Sequence, residues 1–121
     1  MLNIGVQTKN VVNDAHPEEG FAMLKRAGFS CADFSLNSYL SNTSLYQSER
    51  NEFFDRSVRE LERYFTPHKQ GAEASGITIN QMHMPYPVYV PKADRELNDY
   101  LWNQVAQKSM AVCAFFGCPY I

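Results

Sequence analysis

No stretch of these 121 residues stays apolar for the length a bilayer crossing needs, and Met1-Leu2-Asn3 lacks the basic segment that opens a secretion signal. A cytoplasmic protein with no membrane partner is expected. A basic stripe is missing too: eleven Lys and Arg against thirteen Asp and Glu give a formal charge of −2, and the cations are scattered. Phosphate binding needs them gathered on one face, so no nucleic-acid partner is expected. Cysteine is scarce. Cys31, Cys113 and Cys118 are odd in number and sit in apolar company, which argues against a disulfide framework. The gap from Cys113 to Cys118 also lacks the spacing and neighbouring His of a zinc site, so all three read as reduced, buried thiols.

What is present is the profile of a globular domain, 45% apolar and 20% charged, expected to span 1–121 as a single unit. Leu2 to Thr8 alternates, with Leu2, Ile4 and Val6 on one face and Asn3, Gly5 and Gln7 on the other, as a first strand would. Pro17, Glu18 and Glu19 open a helix carrying Phe21 and Leu24, with Gly28 as its natural stop. Phe29 to Leu36 reads as a second strand, and Asn37 to Arg50 as a long polar loop. Phe54, Val58, Leu61 and Phe65 then step at helical spacing, with a break and fresh start expected at Thr66-Pro67 and an end at Gly76. Within this charged helix, Glu52 with Arg56 and Arg59 with Glu62 are spaced for weak surface pairing. Ile77 to Met84 is a third strand, closed by Pro85 and Pro87. From Asp94 a helix with Leu97, Leu101, Val105 and Val112 on one flank, and Trp102, Ala106, Met110 and Cys113 beside them, runs to Gly117. Cys118 to Ile121 reads as the opening of a fourth strand.

Strand and helix in alternation predict a parallel sheet, either part of a closed barrel or an open doubly wound sheet. The first turn, Thr8 to Asn13, has no glycine-rich phosphate-binding fingerprint, which removes the best argument for the open sheet. The fold class is therefore α/β, a parallel-stranded (β/α) barrel of TIM type, here a partial barrel of about three βα units plus the start of a fourth strand.

Ligands of parallel α/β folds meet the C-terminal ends of the strands, where Gln7, Asp33, Gln81 and His83 fall. His83 can accept a proton, donate to a sugar oxygen or ligate a metal. Between Met82 and Met84 it should point away from them, to the side of Gln81 and Ile79. Asp33, in the apolar run Cys31-Ala32-Asp33-Phe34, needs a partner: a substrate hydroxyl, or His83 as a group it orients, or else a local turn. Gln7 and Gln81 can hold hydroxyls without change of charge, or serve only in a surface or inter-strand hydrogen bond, the commoner role for such amides. Tyr86 and Tyr89 lie on a proline-rich loop that could cover a ligand, although aromatic loop residues usually just pack. His16 and His68, near expected helix starts, read as solvated.

Asn3-Ile4-Gly5-Val6-Gln7-Thr8, Lys25-Arg26-Ala27-Gly28-Phe29 followed by Asp33, Gln81-x-His83-x-Pro85, and Ser109-x-Ala111-x-x-Ala114-x-x-Gly117-Cys118-Pro119-Tyr120 together resemble the sugar phosphate isomerase/epimerase family, the xylose isomerase-like barrels. The resemblance implies an eight-stranded barrel that moves a proton between adjacent carbons of a sugar or sugar phosphate, with a divalent metal (Mn, Mg, Co or Zn) in the parent. It implies Gln7, Asp33, Gln81 and His83 as substrate-side groups. The metal carboxylates and the acid/base pair would come from later strands, so no cofactor is expected within this segment, His83 being its one candidate ligand. A whole barrel needs about 250 residues. The segment alone is expected to be catalytically incompetent, with open strand edges that invite self-association into a homo-oligomer. Two other readings compete: a metal-dependent endonuclease for abasic DNA built on the same barrel, disfavoured by the dispersed cations, and a non-catalytic binding or assembly module.

Overall fold

The computed structural model describes residues 3–121. Three short strands, β1 (Gly5–Gln7), β2 (Cys31–Ser35) and β3 (Thr78–His83), form a parallel sheet in the order β1-β2-β3. Between them lie α1 (Pro17–Arg26), a short α2 (Asn42–Tyr46) and α3 (Val58–Ser75); after them come α4 (Arg95–Tyr100) and α5 (Gln107–Phe115), joined by a π turn over Leu101–Ala106. The chain is thus an α/β protein with its strands in sequence order. No helix among the described residues is long and apolar enough to cross a membrane.

The sheet has two unlike faces. Ala32 and Phe34 of β2 and Ile79 and Met82 of β3 are buried, with Val6 packed against them, in one core shared with Phe21 and Leu24 of α1, Leu61 and Phe65 of α3 and Val112 of α5. The opposite face carries Gly5, Gln7, Asp33, Ser35, Gln81 and His83. Strict alternation would put Ile79 on that polar face with Gln81 and His83. It does not lie there, because β3 carries one extra residue. Ala32 pairs with Ile79 but Asp33 with Gln81, so the strand bulges at Asn80 and its phase flips by one side chain. The bulge lets both Ile79 and Met82 reach the core while Gln81 and His83 keep the other side.

Several elements depart from expectation for identifiable reasons. Leu2 falls outside the described residues, and Ile4 is exposed, leaving Val6 as the inward side chain of β1. The polar stretch 37–50 holds a helix: Ser41 caps it by accepting from the Ser44 N–H at 3.2 Å, and Leu40 and Leu45 are buried under it. Phe54 belongs to a separate turn (Phe53–Asp55), and α3 starts only after Ser57, where Ser57 and Glu60 satisfy each other's backbone N–H groups in a capping box. There is no break at Thr66-Pro67. Thr66 donates its hydroxyl back to the Glu62 carbonyl at 2.8 Å, and α3 runs through Pro67 to its cap Gly76, whose φ of 65° suits a glycine. A proline inside a helix costs about 3 kcal/mol. Leu61, Phe65, His68 and Ala72 line the buried side without interruption, and burying even two large apolar side chains offsets that cost.

The π turn also changes which residues face inward. Through its wider winding Ala106, Ser109, Val112 and Cys113 are buried, while Trp102 and Met110, expected beside the apolar flank, stand exposed. The expected ion pairs Glu52–Arg56 and Arg59–Glu62 are not formed among the described residues; Arg50 pairs with Asp55 instead, at 3.4 Å, and Arg56 lies over the Phe53 ring at 4.7 Å. At the chain's end Cys118 to Ile121 forms no strand. Nevertheless Met82 N–H donates to the Tyr120 carbonyl at 2.9 Å, which sets this segment beside β3 on the edge away from β2. All three cysteines are free and buried.

Candidate functional site

Pairing aligns Gln7 with Asp33 and Asp33 with Gln81 across the three strands, and Ser35 with His83 one pleat further on. The four residues singled out from sequence therefore share the uncovered face. Beyond Gln7 the β1–β2 pairing continues through Thr8, whose N–H donates to the Asp33 carbonyl at 2.9 Å and whose Oγ1 accepts from the Ser35 N–H at 3.0 Å. Those bonds hold the ends of β1 and β2 rigidly beneath the site.

The closest contact on this face joins His83 to Asp33. Nδ1 of His83 lies 2.6 Å from Oδ2 of Asp33, a diagonal reach between neighbouring strands. The two atoms are in ion-pair contact, and a proton on Nδ1 would leave Nε2 of a neutral ring with its lone pair. The asymmetry of exposure fits that division of labour: the Asp33 side chain is 20% exposed and that of His83 51%. The carboxylate orients and the imidazole faces outward. Asp33 Oδ1 and Ser35 Oγ are both buried without a hydrogen-bond partner, an unfavourable state that a ligand hydroxyl reaching either atom would relieve.

A cleft of about 600 Å³ opens over this face, and its lining includes Gln7, Lys9, Ser35, Asn37, Gln81 and His83. A smaller hollow of about 280 Å³ adjoins it along the strands and holds Asp33, with Gln7 and Gln81 common to both. Sequence reasoning missed Lys9, Ser35 and Asn37. Ser35 was within reach, since it stands two residues past Asp33 and must share its face; Lys9 and Asn37 lie beyond the strand ends, where periodicity carries no signal. Of the two loop tyrosines, Tyr86 lines the cleft, and Tyr89 is exposed outside it.

His68 is the main correction. It is not solvated but 2% exposed, on the inner side of α3, with Nε2 2.8 Å from Asp14 Oδ1. The hydroxyls of Tyr39 (2.5 Å) and Tyr64 (3.0 Å) donate to the same carboxylate, so Asp14 ties the β1–α1 loop to the end of β2 and to α3. Burial pushes the Asp14 carboxyl up, but the bonds from Tyr39, His68 and Tyr64 outweigh it, and its pKa lies below the ordinary carboxylate value. Burial first, then Asp14, pushes the Tyr64 hydroxyl up to about 12. His16 is exposed, 3.6 Å from Glu18.

The residues of the cleft offer a divalent metal few ligands. His83 has one free nitrogen and Asp33 one oxygen, Oδ1, not in contact with His83, while the only group of three close metal-type ligands among the described residues is His16, Glu18 and Glu19, all exposed around the first turn of α1. A thiol nucleophile is also disfavoured: burial, with Cys118 beside it, pushes the Cys113 thiol up to about 11, far from the ionised form that attacks.

No family model, no curated protein and no solved structure matches this chain. Its function is therefore read from the face just described.

Proposed function

We propose that the chain forms the first part of a xylose isomerase-like barrel whose carboxyl rim binds a sugar or sugar phosphate, in a protein that moves a proton between adjacent carbons of that substrate. The observation that carries this reading is the Asp33–His83 pair, set with two glutamines on an uncovered, polar sheet face. Parallel sheets are ordinarily covered on both faces. In a doubly wound sheet the fourth strand returns beside the first and helices cover the second face. Here Tyr120 lies beside β3, and α1, α3 and α5 contribute to one core on one side, which supports a sheet that goes on curving in one direction.

Each side chain has a role that its chemistry allows. Asp33 holds the imidazole, whose Nε2 accepts a hydrogen bond or a proton from a substrate hydroxyl. Gln7 and Gln81 bind further hydroxyls, and Lys9 is the cation that would face a phosphate. Proton transfer between carbons is assigned to residues outside these 121, so the chain binds and does not turn substrate over. The same face and the free edge of β1 also offer a second copy a place to pair; size exclusion at rising concentration reads that directly.

Binding is the test. Saturation of amide shifts on Gln7, Asp33, Gln81 and His83 is expected with aldoses, ketoses or their phosphates, and His83→Ala is expected to weaken it about 10- to 100-fold, the worth of one hydrogen bond to a charged or strongly polarised group. Binding that survives His83→Ala unchanged would contradict the reading, as would sugar epimerisation by the 121-residue chain itself.

A further inference from the structure

The cleft beside His83 is lined by two unlike kinds of residue. Besides the polar groups it holds Met84, Pro85, Tyr86 and Val88 of the loop after β3. Tyr86 is 60% exposed and meets Tyr46 of α2, itself 57% exposed, edge to face at 6.5 Å between ring centres. Two large aromatic rings left in water at the rim of a polar cleft are an unused apolar surface, and here they buttress each other. The loop that presents Tyr86 is pinned at both ends. Its N–H donates to Asn37 Oδ1 at 3.4 Å, and further on Asn98 clamps Val90 through both backbone groups, at 2.7 and 3.1 Å. A pinned platform loses little freedom on binding.

A single hexose is hydroxylated all round. Placed against His83 and the glutamines, it makes no use of the Tyr86 ring, and a cleft of about 600 Å³ has room for more than one sugar ring. We propose that the cleft takes a reducing disaccharide, the reducing ring at the polar groups and the second ring with its C–H face against Tyr86. The electron-poor C–H groups of a pyranose face suit the negative face of an aromatic ring. This rests on the sugar-binding reading above and names its substrate class.

The probes are cellobiose, maltose and lactose, compared with D-glucose and D-galactose, titrated into the 121-residue chain and followed by amide shifts. At least one disaccharide is expected to bind about five- to tenfold more tightly than its reducing monosaccharide, the worth of one stacking contact. That ratio should fall to about one in Tyr86→Ala and persist in Trp102→Ala, a control on the exposed indole at the π turn. Tyr86 is on the surface, so its removal leaves the fold intact. Equal affinity for mono- and disaccharides, with both still sensitive to His83→Ala, overturns this inference and leaves the sugar reading standing. A disaccharide preference that persists in Tyr86→Ala overturns it as well. No binding of any of the five sugars removes the sugar reading and the inference together.

Discussion

Phe65→Ala is expected to cost about 3–5 kcal/mol, the usual range for emptying a buried phenylalanine site, and so to take away much or all of the stability of a domain of ordinary size. Phe65 is fully buried, and its ring lies within 6.1 Å, centre to centre, of Phe34, Tyr39, Phe53, Tyr64, His68 and Phe116. Those partners come from β2, the segment after it, the turn before α3, α3 itself and the end of α5. One ring therefore joins most of the elements that hold the sheet from behind, and the site on its other face depends on that support. Urea unfolding followed by far-ultraviolet circular dichroism reads the loss. A change below about 1 kcal/mol would mean that the cluster collapses around the gap, and that Phe65 is not the hinge of the core.

The second large effect is at Asp14. Asp14→Ala strands three donors, of which the His68 ring is buried, and a buried donor left without a partner costs about 1–3 kcal/mol. A total loss of roughly 2–3 kcal/mol is expected, discounted because Asp14 itself is nearly half exposed. The pH dependence follows from the direction of its shift. The folded pKa lies below the ordinary 3.8, so the stabilisation is complete above that value and is lost as pH falls through the lower, folded one. Asp14→Asn should therefore be less stable than wild type at neutral pH, and the two should converge as the solution is acidified below 3.8. Parallel acid limbs in the two proteins would show that the carboxylate's charge is not what Tyr39, Tyr64 and His68 hold.

How far such features could be read from sequence depends on what sets them. The three strands, α1 and a helical stretch between Asp94 and Gly117 were legible as elements, because apolar runs alternate with turn residues, but the inward faces of β1, β3 and the last helical stretch were not. Legible too was the placement of Gln7, Asp33, Gln81 and His83 late in their strands, and Asp33 as an orienting partner of His83 was one of the readings its isolation in an apolar run allowed. The bulge at Asn80 was not, since one extra residue changes which side Ile79 faces without changing composition. At Pro67 the break that local propensity favours loses to the buried stripe from Leu61 to Ala72, which includes the polar His68. Asp14 looked like any turn residue, for its three partners lie 25, 50 and 54 positions away. Long-range hydrogen bonds leave no periodic trace.

The role of the Asp33–His83 pair turns on one proton. If Asp33 fixes the His83 ring with Nε2 free toward the cleft, the side-chain nitrogen shifts of His83 will show the proton on Nδ1 in wild type, and Asp33→Asn will shift the balance toward Nε2 and weaken sugar binding in step. A His83 ring that already carries its proton on Nε2 in wild type, indifferent to Asp33, would contradict it.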